Sequence, residues 1–316
     1  MNVQLLDYEL PPELVAQHPP DRRDEARLLV CDRVTGDIRH RSVADLPDEA
    51  GDRLVVVNDT RVVPARLAVR RTSGGAVEAL LVERVADDVW EALARPSRRL
   101  RVGETLEGDG GSVDLLEPLG GGRWRIRLRG APHGELPLPP YIHERLADPE
   151  RYQTVYATET GSAAAPTAGL HFTPELLARV AHERITLHVG LDTFRPVTAE
   201  TLEAHELHGE RYRVEEAAWQ RIEAAEQVLA VGTTTTRVLE TVARGGPLAG
   251  RSDLFITPGF RFRRVDALLT NFHLPRTTLL ALVMAFAGVE RTRELYALAI
   301  RERYRFYSFG DAMLIL

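Results

Sequence analysis

The chain has 316 residues, of which 44% are hydrophobic, and it carries a formal net charge of −6 and a single cysteine, Cys31. This composition is enough to bury one large or two medium cores, and one cysteine excludes an intramolecular disulfide and a cysteine-based zinc site. All 40 basic residues are arginine, which excludes a Schiff-base lysine and the lysine of a phosphate-binding P-loop.

Targeting and membrane signals are missing from the sequence. The longest apolar stretch, residues 279–288, is too short to span a bilayer, and no basic start followed by an apolar run and a cleavage site is found. We therefore expect a cytoplasmic protein without a membrane partner. The acidic net charge means that any contact with nucleic acid must come from a local basic surface.

The first strong element in chain order is a buried strand at 54–57. From residue 65 to about residue 130, short alternating segments are separated by glycine-rich turns, which is typical of a small antiparallel barrel. Its strands are predicted at 65–71, 76–84, 89–94, 113–117 and 123–129.

After the barrel segment, strand-like runs alternate with helical periodicity, the pattern of an α/β layer. Thr173-Pro174-Glu175 places a capping hydroxyl before a proline at the first helical position. Helices are predicted at 174–183, 215–225, 235–244, 278–287 and 293–303, and strands at 185–189, 228–231, near Leu254, near Ala267 and at 313–316.

The proline-rich stretch 137–140 forbids a helix and marks the return of the chain from the barrel. We therefore predict an α/β main domain with an inserted small antiparallel β-barrel domain. The α/β domain is expected to comprise residues 1–64 and 137–316, and the barrel residues 65–136.

Two segments lie where an α/β sheet binds ligands. The strand 228–231 continues through Gly232, Thr233 and Thr234 into a helix, whose unpaired amides favour an anion. An ordinary helix N-terminus, in which the threonines cap the helix and bind no ligand, has the same sequence. Asp59 follows the strand 54–57 at its carboxyl end, although a polar turn with an internal Asp59–Arg61 pair explains these residues equally well.

Three histidines are candidates for proton transfer. His171 ends a stretch of small residues, 163–172, that would let the backbone approach a ligand closely. His188 lies inside an apolar strand, where the alternative is a histidine bonded to a backbone carbonyl, and His273 follows another strand end. A set of possible metal ligands is formed by His205, His208 and Glu210. These residues lack the His-Glu-x-x-His order of a zinc site, and we therefore predict no metal.

Local arginine clusters are candidates for nucleic-acid contact. Arg123, Arg125, Arg127 and Arg129 fall on one face of a predicted strand, because side chains alternate along a strand. A neighbouring turn carries Arg95, Arg98, Arg99 and Arg101. Such arginines bind phosphates despite an acidic total charge, and a solvated strand face explains the same residues.

Many stretches of the chain, in one order, resemble the S-adenosylmethionine:tRNA ribosyltransferase-isomerase family. They are Tyr8-Glu-Leu-Pro11, residues 58–66, 136–142, 152–156, 163–172 and 186–190, Thr193-Phe194, residues 231–234, Arg237, and residues 258–260, 265–267, 270–275, 304–306 and 310–313. Any one of these stretches could arise by chance, but their combination is specific.

The resemblance implies an α/β domain that holds S-adenosylmethionine and a barrel that helps to grip tRNA. It also implies transfer and isomerisation of the ribosyl moiety of S-adenosylmethionine onto 7-aminomethyl-7-deazaguanine at the tRNA wobble position, giving epoxyqueuosine-tRNA, adenine and methionine. S-adenosylmethionine is then a co-substrate, and we expect no metal and a monomer.

This reaction needs a base for the hydrogen beside the sulfonium and a proton donor for the leaving adenine. The catalytic candidates are His171, His188, His273 and Asp59, and the sequence does not divide the two roles among them. The candidates for binding S-adenosylmethionine are Gly232, Thr233, Thr234, Arg61, Arg237, Asn271, Tyr156 and Asp311. The candidates for binding tRNA are Arg66, Arg99, Arg123, Arg125 and Arg127.

Two other classes of function are compatible with parts of the sequence. A tRNA methyltransferase would leave S-adenosylhomocysteine in place of adenine and methionine, and the sequence disfavours it because no Gly-x-Gly-x-x-Gly-like loop follows a strand. A non-catalytic RNA-binding barrel protein would not need the histidine and small-residue segments outside the barrel.

Overall fold

A computed structural model describes residues 1–190, 197–205 and 209–316. Thr193, Phe194 and His208, which the sequence analysis singled out, lie outside these residues. The chain divides into two compact units, one of Met1–Thr60, Pro139–Glu159 and Pro166–Leu316, the other of Arg61–Leu138 and Thr160–Ala165. None of the helices in the described ranges is long and apolar enough to cross a membrane.

The strands, in chain order, are β1 (Arg27–Cys31), β2 (Ile38–Ser42), β3 (Leu54–Asn58), β4 (Thr60–Val62), β5 (Arg66–Arg71), β6 (Ala76–Arg84), β7 (Val89–Arg95), β8 (Thr105–Gly108), β9 (Gly111–Gly120), β10 (Arg123–Gly130), β11 (Gly134–Glu135), β12 (Glu159–Ser162), β13 (His182–Leu187), β14 (Glu210–Arg213), β15 (Val228–Val231), β16 (Ala249–Ser252), β17 (Ala267–Asn271) and β18 (Ala312–Ile315). The α-helices are α1 (Leu46–Ala50), α2 (Pro174–Ala178), α3 (Glu216–Ala224), α4 (Thr233–Val242), α5 (Thr278–Ala287) and α6 (Val289–Arg301).

The first unit is built on a mixed sheet whose nine described strands follow the order β16-β14-β13-β3-β15-β17-β18-β1-β2. Strands β13, β3, β15 and β17 are parallel neighbours, whereas β18 runs antiparallel to β17 and parallel to β1. β3 and β15 are almost continuously apolar and buried, as expected of parallel strands covered on both faces. The carboxyl ends of four strands therefore meet at one edge of this sheet.

The second unit is a small barrel. Its strands follow the order β5-β6-β7-β10-β9-β8, all pairs are antiparallel, and β8 pairs back with β5 to close the barrel at six strands. Alternate residues, among them Leu67, Val69, Leu106 and Ile126, point into its core and are buried. The predicted fold class, an α/β main domain with an inserted antiparallel β-barrel, is confirmed.

Several predicted elements differ from the observed ones. Strand β8, which closes the barrel, was not predicted, and neither were β1, β2 and β14. Helix α2 ends at Ala178 and not at residue 183, because the chain from His182 onward pairs with β3. Strand β16 lies before Leu254, where it pairs with β14. The barrel unit also includes Thr160–Ala165, a segment that the predicted boundaries place in the α/β domain.

Candidate active site

Several candidate site residues of the first unit, together with Asn58, lie at the carboxyl edge of the parallel strands. Asn58 ends β3, His188 follows β13, Gly232 follows β15 and Asn271 ends β17. Because these four strands are parallel neighbours, their ends lie side by side. The structure thus brings together residues that are more than 200 positions apart in the chain.

Helix α4 begins directly at this edge. Gly232 has a φ of 89°, a left-handed conformation that favours glycine, and its amide donates to the carbonyl of Leu269 on the neighbouring strand at 2.8 Å. The hydroxyl of Thr235 bonds the carbonyl of Val231 at 2.7 Å. Amides in the first turn of a helix have no carbonyl partner within that helix, so those of Thr233 and Thr234 are suited to binding an anion.

Asn58 joins three of these elements, although the sequence analysis did not include it among the site residues. Its amide nitrogen donates to the carbonyl of Leu187, and its oxygen accepts from the amide of Leu187, both at 3.0 Å. The same nitrogen lies 3.5 Å from the hydroxyl of Thr234. Asn58 therefore extends the pairing of β3 with β13 and connects it to the start of α4.

Asp59 is a buried carboxylate held by two threonines. The hydroxyl of Thr186 donates to one carboxylate oxygen at 2.7 Å, and the hydroxyl of Thr158 donates to the other at 3.3 Å. Burial raises the pKa of the Asp59 carboxyl, while the two hydroxyls act in the opposite direction. A carboxylate in this environment accepts a proton more readily than an exposed one.

His188 lies near enough to Asp59 for the charge of that carboxylate to act on its imidazole. Its Nδ1 is 3.0 Å from the hydroxyl of Thr60, and its amide donates to the carbonyl of Arg211 at 2.9 Å. Burial lowers the pKa of the His188 imidazole, and the carboxylates of Glu159 and Asp59 oppose that change. Burial therefore favours the neutral form of both Asp59 and His188, a pairing suited to proton transfer.

His171 and Asn271 form a second buried pair. His171 ends a short 3-10 helix, Thr167–His171, and is only 3% exposed. The Nδ2 of Asn271 lies 3.2 Å from Nε2 of His171 and donates to the carbonyl of Tyr307 at 3.1 Å. Burial lowers the pKa of His171 to about 4, and the positive charges of Arg305 and Arg23 act in the same direction. His171 is therefore neutral at pH 7.

The small residues before His171 let the chain pass between tightly packed neighbours. A Cβ atom on Gly169 would lie 2.0 Å from the hydroxyl oxygen of Tyr156. The Cβ of Ala168 lies 3.6 Å from the position that a Cβ would occupy on Gly232. Tyr156 itself is buried and packs edge-on against Phe172 at 6.0 Å. Its ring is used in packing within the unit.

Gly169→Ala is expected to destabilise the first unit by about 1–3 kcal/mol, because the added methyl group overlaps the Tyr156 hydroxyl. The free energy of unfolding in urea measures the effect. In the double variant Gly169→Ala/Tyr156→Phe the overlapping oxygen is gone, so the substitution at residue 169 should be less harmful there. Gly75→Ala, where a Cβ meets only ordinary contacts, is the matched control. Equal stability of Gly169→Ala and Gly75→Ala would contradict the prediction.

Two further candidates make contacts within the unit. Nε2 of His273 lies 2.8 Å from the hydroxyl of Thr270, and burial lowers the pKa of His273 to about 3. The carboxylate of Asp311 accepts from the amides of Arg27 at 3.0 Å and Arg305 at 2.7 Å. The Asp311 carboxylate therefore connects the start of β18 to the start of β1 through its hydrogen bond with the Arg27 amide.

The two arginines predicted to position ligand charges are placed differently from each other. Arg237, on α4, forms an ion pair with Glu210 and donates to the carbonyls of Leu254 and Ser252 at 3.2 Å and 3.0 Å. These contacts occupy its guanidinium within the first unit. Arg61 lies in β4 and belongs to the barrel unit.

The barrel arginines are largely paired with carboxylates on neighbouring segments. Arg125 lies 2.7 Å from Glu117, and Arg127 lies 3.1 Å from Asp88. The other two pairs are Arg129 with Asp114 at 2.5 Å and Arg66 with Glu78 at 3.9 Å. This face of the barrel is therefore less basic than the sequence pattern indicated.

The segment that leads from β7 to β8 carries exposed arginines that are not paired with carboxylates of the described residues. Arg95, Arg98 and Arg99 are exposed, and within the described residues none of the three forms an ion pair. Two contacts anchor this loop, one on each side of Arg98 and Arg99: Trp124 donates to the hydroxyl of Ser97 at 2.8 Å, and Leu100 is buried in the barrel core. These arginines thus present unpaired positive charge on a fixed segment, here named the arginine loop (residues 95–101), which begins at the last residue of β7.

Across residues 1–190, 197–205 and 209–316, no group of three or more His, Cys, Asp or Glu side chains is placed to hold a metal ion. His208, one of the residues that could imitate a metal site, lies outside these ranges.

The model of the family described as "Queuosine biosynthesis protein" matches residues 3–315 of the chain. A relative from Rubrobacter xylanophilus, named S-adenosylmethionine:tRNA ribosyltransferase-isomerase, is 53% identical over 331 residues, which cover 100% of this chain and 98% of the relative. A relative of the same name from Moorella thermoacetica is 50% identical over 345 residues, which cover 100% of both chains.

The fold also matches a solved structure, that of the S-adenosylmethionine tRNA ribosyltransferase of Thermotoga maritima. That protein is 37% identical, with a TM-score of 0.58, and the match covers 99% of this chain and 100% of the other. The family resemblance inferred from the sequence motifs is confirmed. The chain belongs to the queuosine biosynthesis protein family, as an enzyme of the S-adenosylmethionine:tRNA ribosyltransferase-isomerase type.

Proposed function

We propose that the chain, acting as a monomer, transfers and isomerises the ribosyl moiety of S-adenosylmethionine onto 7-aminomethyl-7-deazaguanine at the tRNA wobble position. The products are epoxyqueuosine-tRNA, adenine and methionine. The observation that carries this proposal is the joining of Asp59, His188, His171 and the start of α4 at one sheet edge. The names of the similar proteins from Rubrobacter and Moorella support it.

The start of α4 is the proposed binding site for the methionine end of S-adenosylmethionine. The amides of Thr233 and Thr234 favour a carboxylate, because the positive end of the helix dipole and unpaired donors coincide there. Both residues are buried, so water competes weakly for these donors.

Asp59 is the proposed base. The sulfonium of S-adenosylmethionine acidifies the neighbouring C5′ hydrogens, and one of them must be removed before the ribosyl group can rearrange. A buried carboxylate with a raised pKa is suited to that step. Thr186 and Thr158 hold both oxygens of Asp59 in place, and the adjacent His188 offers a second group through which the proton can move.

Product analysis tests the proposal. The purified chain is incubated with S-adenosylmethionine and tRNA that carries the aminomethyl-deazaguanine base. We expect adenine and methionine in equal amounts and a matching gain in tRNA mass. Release of S-adenosylhomocysteine would instead identify a tRNA methyltransferase, and tRNA binding without turnover would indicate a non-catalytic RNA-binding protein.

The arginine loop is the proposed phosphate contact of the barrel. The double charge reversal Arg98→Glu/Arg99→Glu is expected to weaken tRNA binding at least about tenfold and to reduce its salt dependence, because two phosphate contacts and their counterion release are lost. Filter binding across a salt series measures both effects. Arg125→Glu, which reverses an arginine already paired with Glu117, is the matched comparison. Equal tRNA affinity of wild type and the double variant would reject the loop.

A further inference from the structure

We infer that Asn271 is a positioning residue that holds His171 in the tautomer whose proton is on Nδ1. His171 then offers a hydrogen-bond donor, while its Nε2 lone pair is engaged by Asn271. The consequence for catalysis rests on the proposed function, but the tautomer itself does not.

The orientation of the Asn271 amide is fixed by Tyr307. The main-chain carbonyl of Tyr307 lies 3.1 Å from the amide group and can only accept a hydrogen bond. The NH2 group of Asn271 must therefore face it, since the flipped amide would place two oxygens at that distance. Flipping gains nothing elsewhere, because the position now held by the side-chain oxygen has no partner among the described residues.

This orientation determines the state of His171. The same NH2 group lies 3.2 Å from Nε2 of His171, and it has only hydrogens to offer. Nε2 must accept, so it carries no proton. His171 is neutral because burial and the positive charges of Arg305 and Arg23 lower its pKa to about 4, and a neutral imidazole without a proton on Nε2 carries one on Nδ1.

The fixed tautomer divides the roles that the sequence left open. With Nε2 accepting from Asn271, His171 cannot use that lone pair as the base. Its Nδ1–H can donate a hydrogen bond, without giving up the proton, to a nitrogen of the departing adenine, where negative charge develops as the bond to the ribosyl group breaks. Asp59 with His188 then remains for proton removal.

Nitrogen NMR of the full chain labelled with 15N-histidine tests the inference without any substrate. The His171 resonances are identified by their loss in His171→Gln. At pH 7 we expect a protonated Nδ1 and an unprotonated Nε2. A spectrum with the proton on Nε2, or with both nitrogens protonated, would overturn the inference from the wild-type protein alone.

Variants test whether Asn271 is the cause. Asn271→Ala removes the donor, so the Nε2–H tautomer should become populated, and Asn271→Asp should favour it further because a carboxylate accepts. Thr270→Val, one residue away, removes the partner of His273 and should leave the His171 tautomer unchanged. A persistent Nδ1–H tautomer in a folded Asn271→Ala variant would contradict the role of Asn271. If the tautomer is as expected but turnover gives other products, the proposed function fails and the positioning role stands.

Discussion

Replacing His171 by alanine is expected to lower the rate of adenine release about 10²–10³-fold, the range for loss of one preorganised hydrogen-bond donor that faces developing negative charge. The imidazole is buried at the sheet edge and bonded to Asn271, so no solvent molecule is held equally well in its place. Single-turnover assays with saturating S-adenosylmethionine and substrate tRNA measure the effect.

Two controls separate a catalytic effect from a folding effect. His143→Ala changes an exposed histidine of the same unit and should leave adenine release within about twofold of wild type, as expected for a surface substitution. The urea unfolding curve of His171→Ala shows whether the variant is folded under assay conditions. Adenine release by a folded His171→Ala variant at the wild-type rate would remove His171 from the mechanism.

The free energy of unfolding is expected to fall steeply as the pH drops below about 6.5. Burial lowers the pKa of His171 to about 4 and that of His273 to about 3, whereas both titrate near 6.5 in an unfolded chain. Below pH 6.5 the unfolded chain therefore binds protons that the folded chain does not, and stability is lost. The contribution of each buried histidine to stability is fully present above pH 6.5, and it is fully lost once the pH is below the folded pKa of that histidine.

The size of this acid effect follows from the two pKa values. Since each pKa unit corresponds to about 1.4 kcal/mol, His171 contributes a loss of about 3 kcal/mol and His273 about 5 kcal/mol. Urea unfolding at pH 7, 5 and 4, followed by circular dichroism, measures the part of the loss that is reached by pH 4, which for His273 is about 3 kcal/mol because its folded pKa of about 3 lies below that pH. His273→Gln keeps a polar partner for Thr270 but does not titrate, so its stability should depend less on pH. The same change at the exposed His143 should not alter the slope, and identical slopes for both variants would contradict the prediction.

Elements with local signals were predictable from the sequence. Helix α5 and strand β15 lie where they were predicted, because a threonine cap and a continuous apolar run mark them. Strand β16, of sequence Ala-Gly-Arg-Ser, and the short strand β8 have little strand propensity of their own. They form because β14, or β5 and β9, offer open edges, and such partners cannot be read from a local window.

The same limit applies to the site. The rule that ligands bind at the carboxyl ends of parallel strands pointed to Asp59, Gly232 and Asn271, which the structure brings to one edge. The threonines that hold Asp59 are 99 and 127 residues away in sequence, and nothing in their neighbourhood marks them. Likewise, the carboxylates that neutralise the barrel arginines belong mostly to neighbouring strands and turns.

The position of β18 determines how the large sheet can be assembled. This strand, the latest of the described strands in the chain, lies between β17 and β1 and is the only described backbone link between the hairpin β1–β2 and the remaining strands. Until Ala312–Ile315 is in place, β17 and β1 each expose an unpaired edge that can recruit another chain. The β1–β2 hairpin can therefore join the sheet only after a segment some 280 residues later has formed. Contacts between segments so far apart in the chain favour slow folding. Loss of Ala312–Ile315 should therefore cause aggregation, because both strand edges would stay exposed.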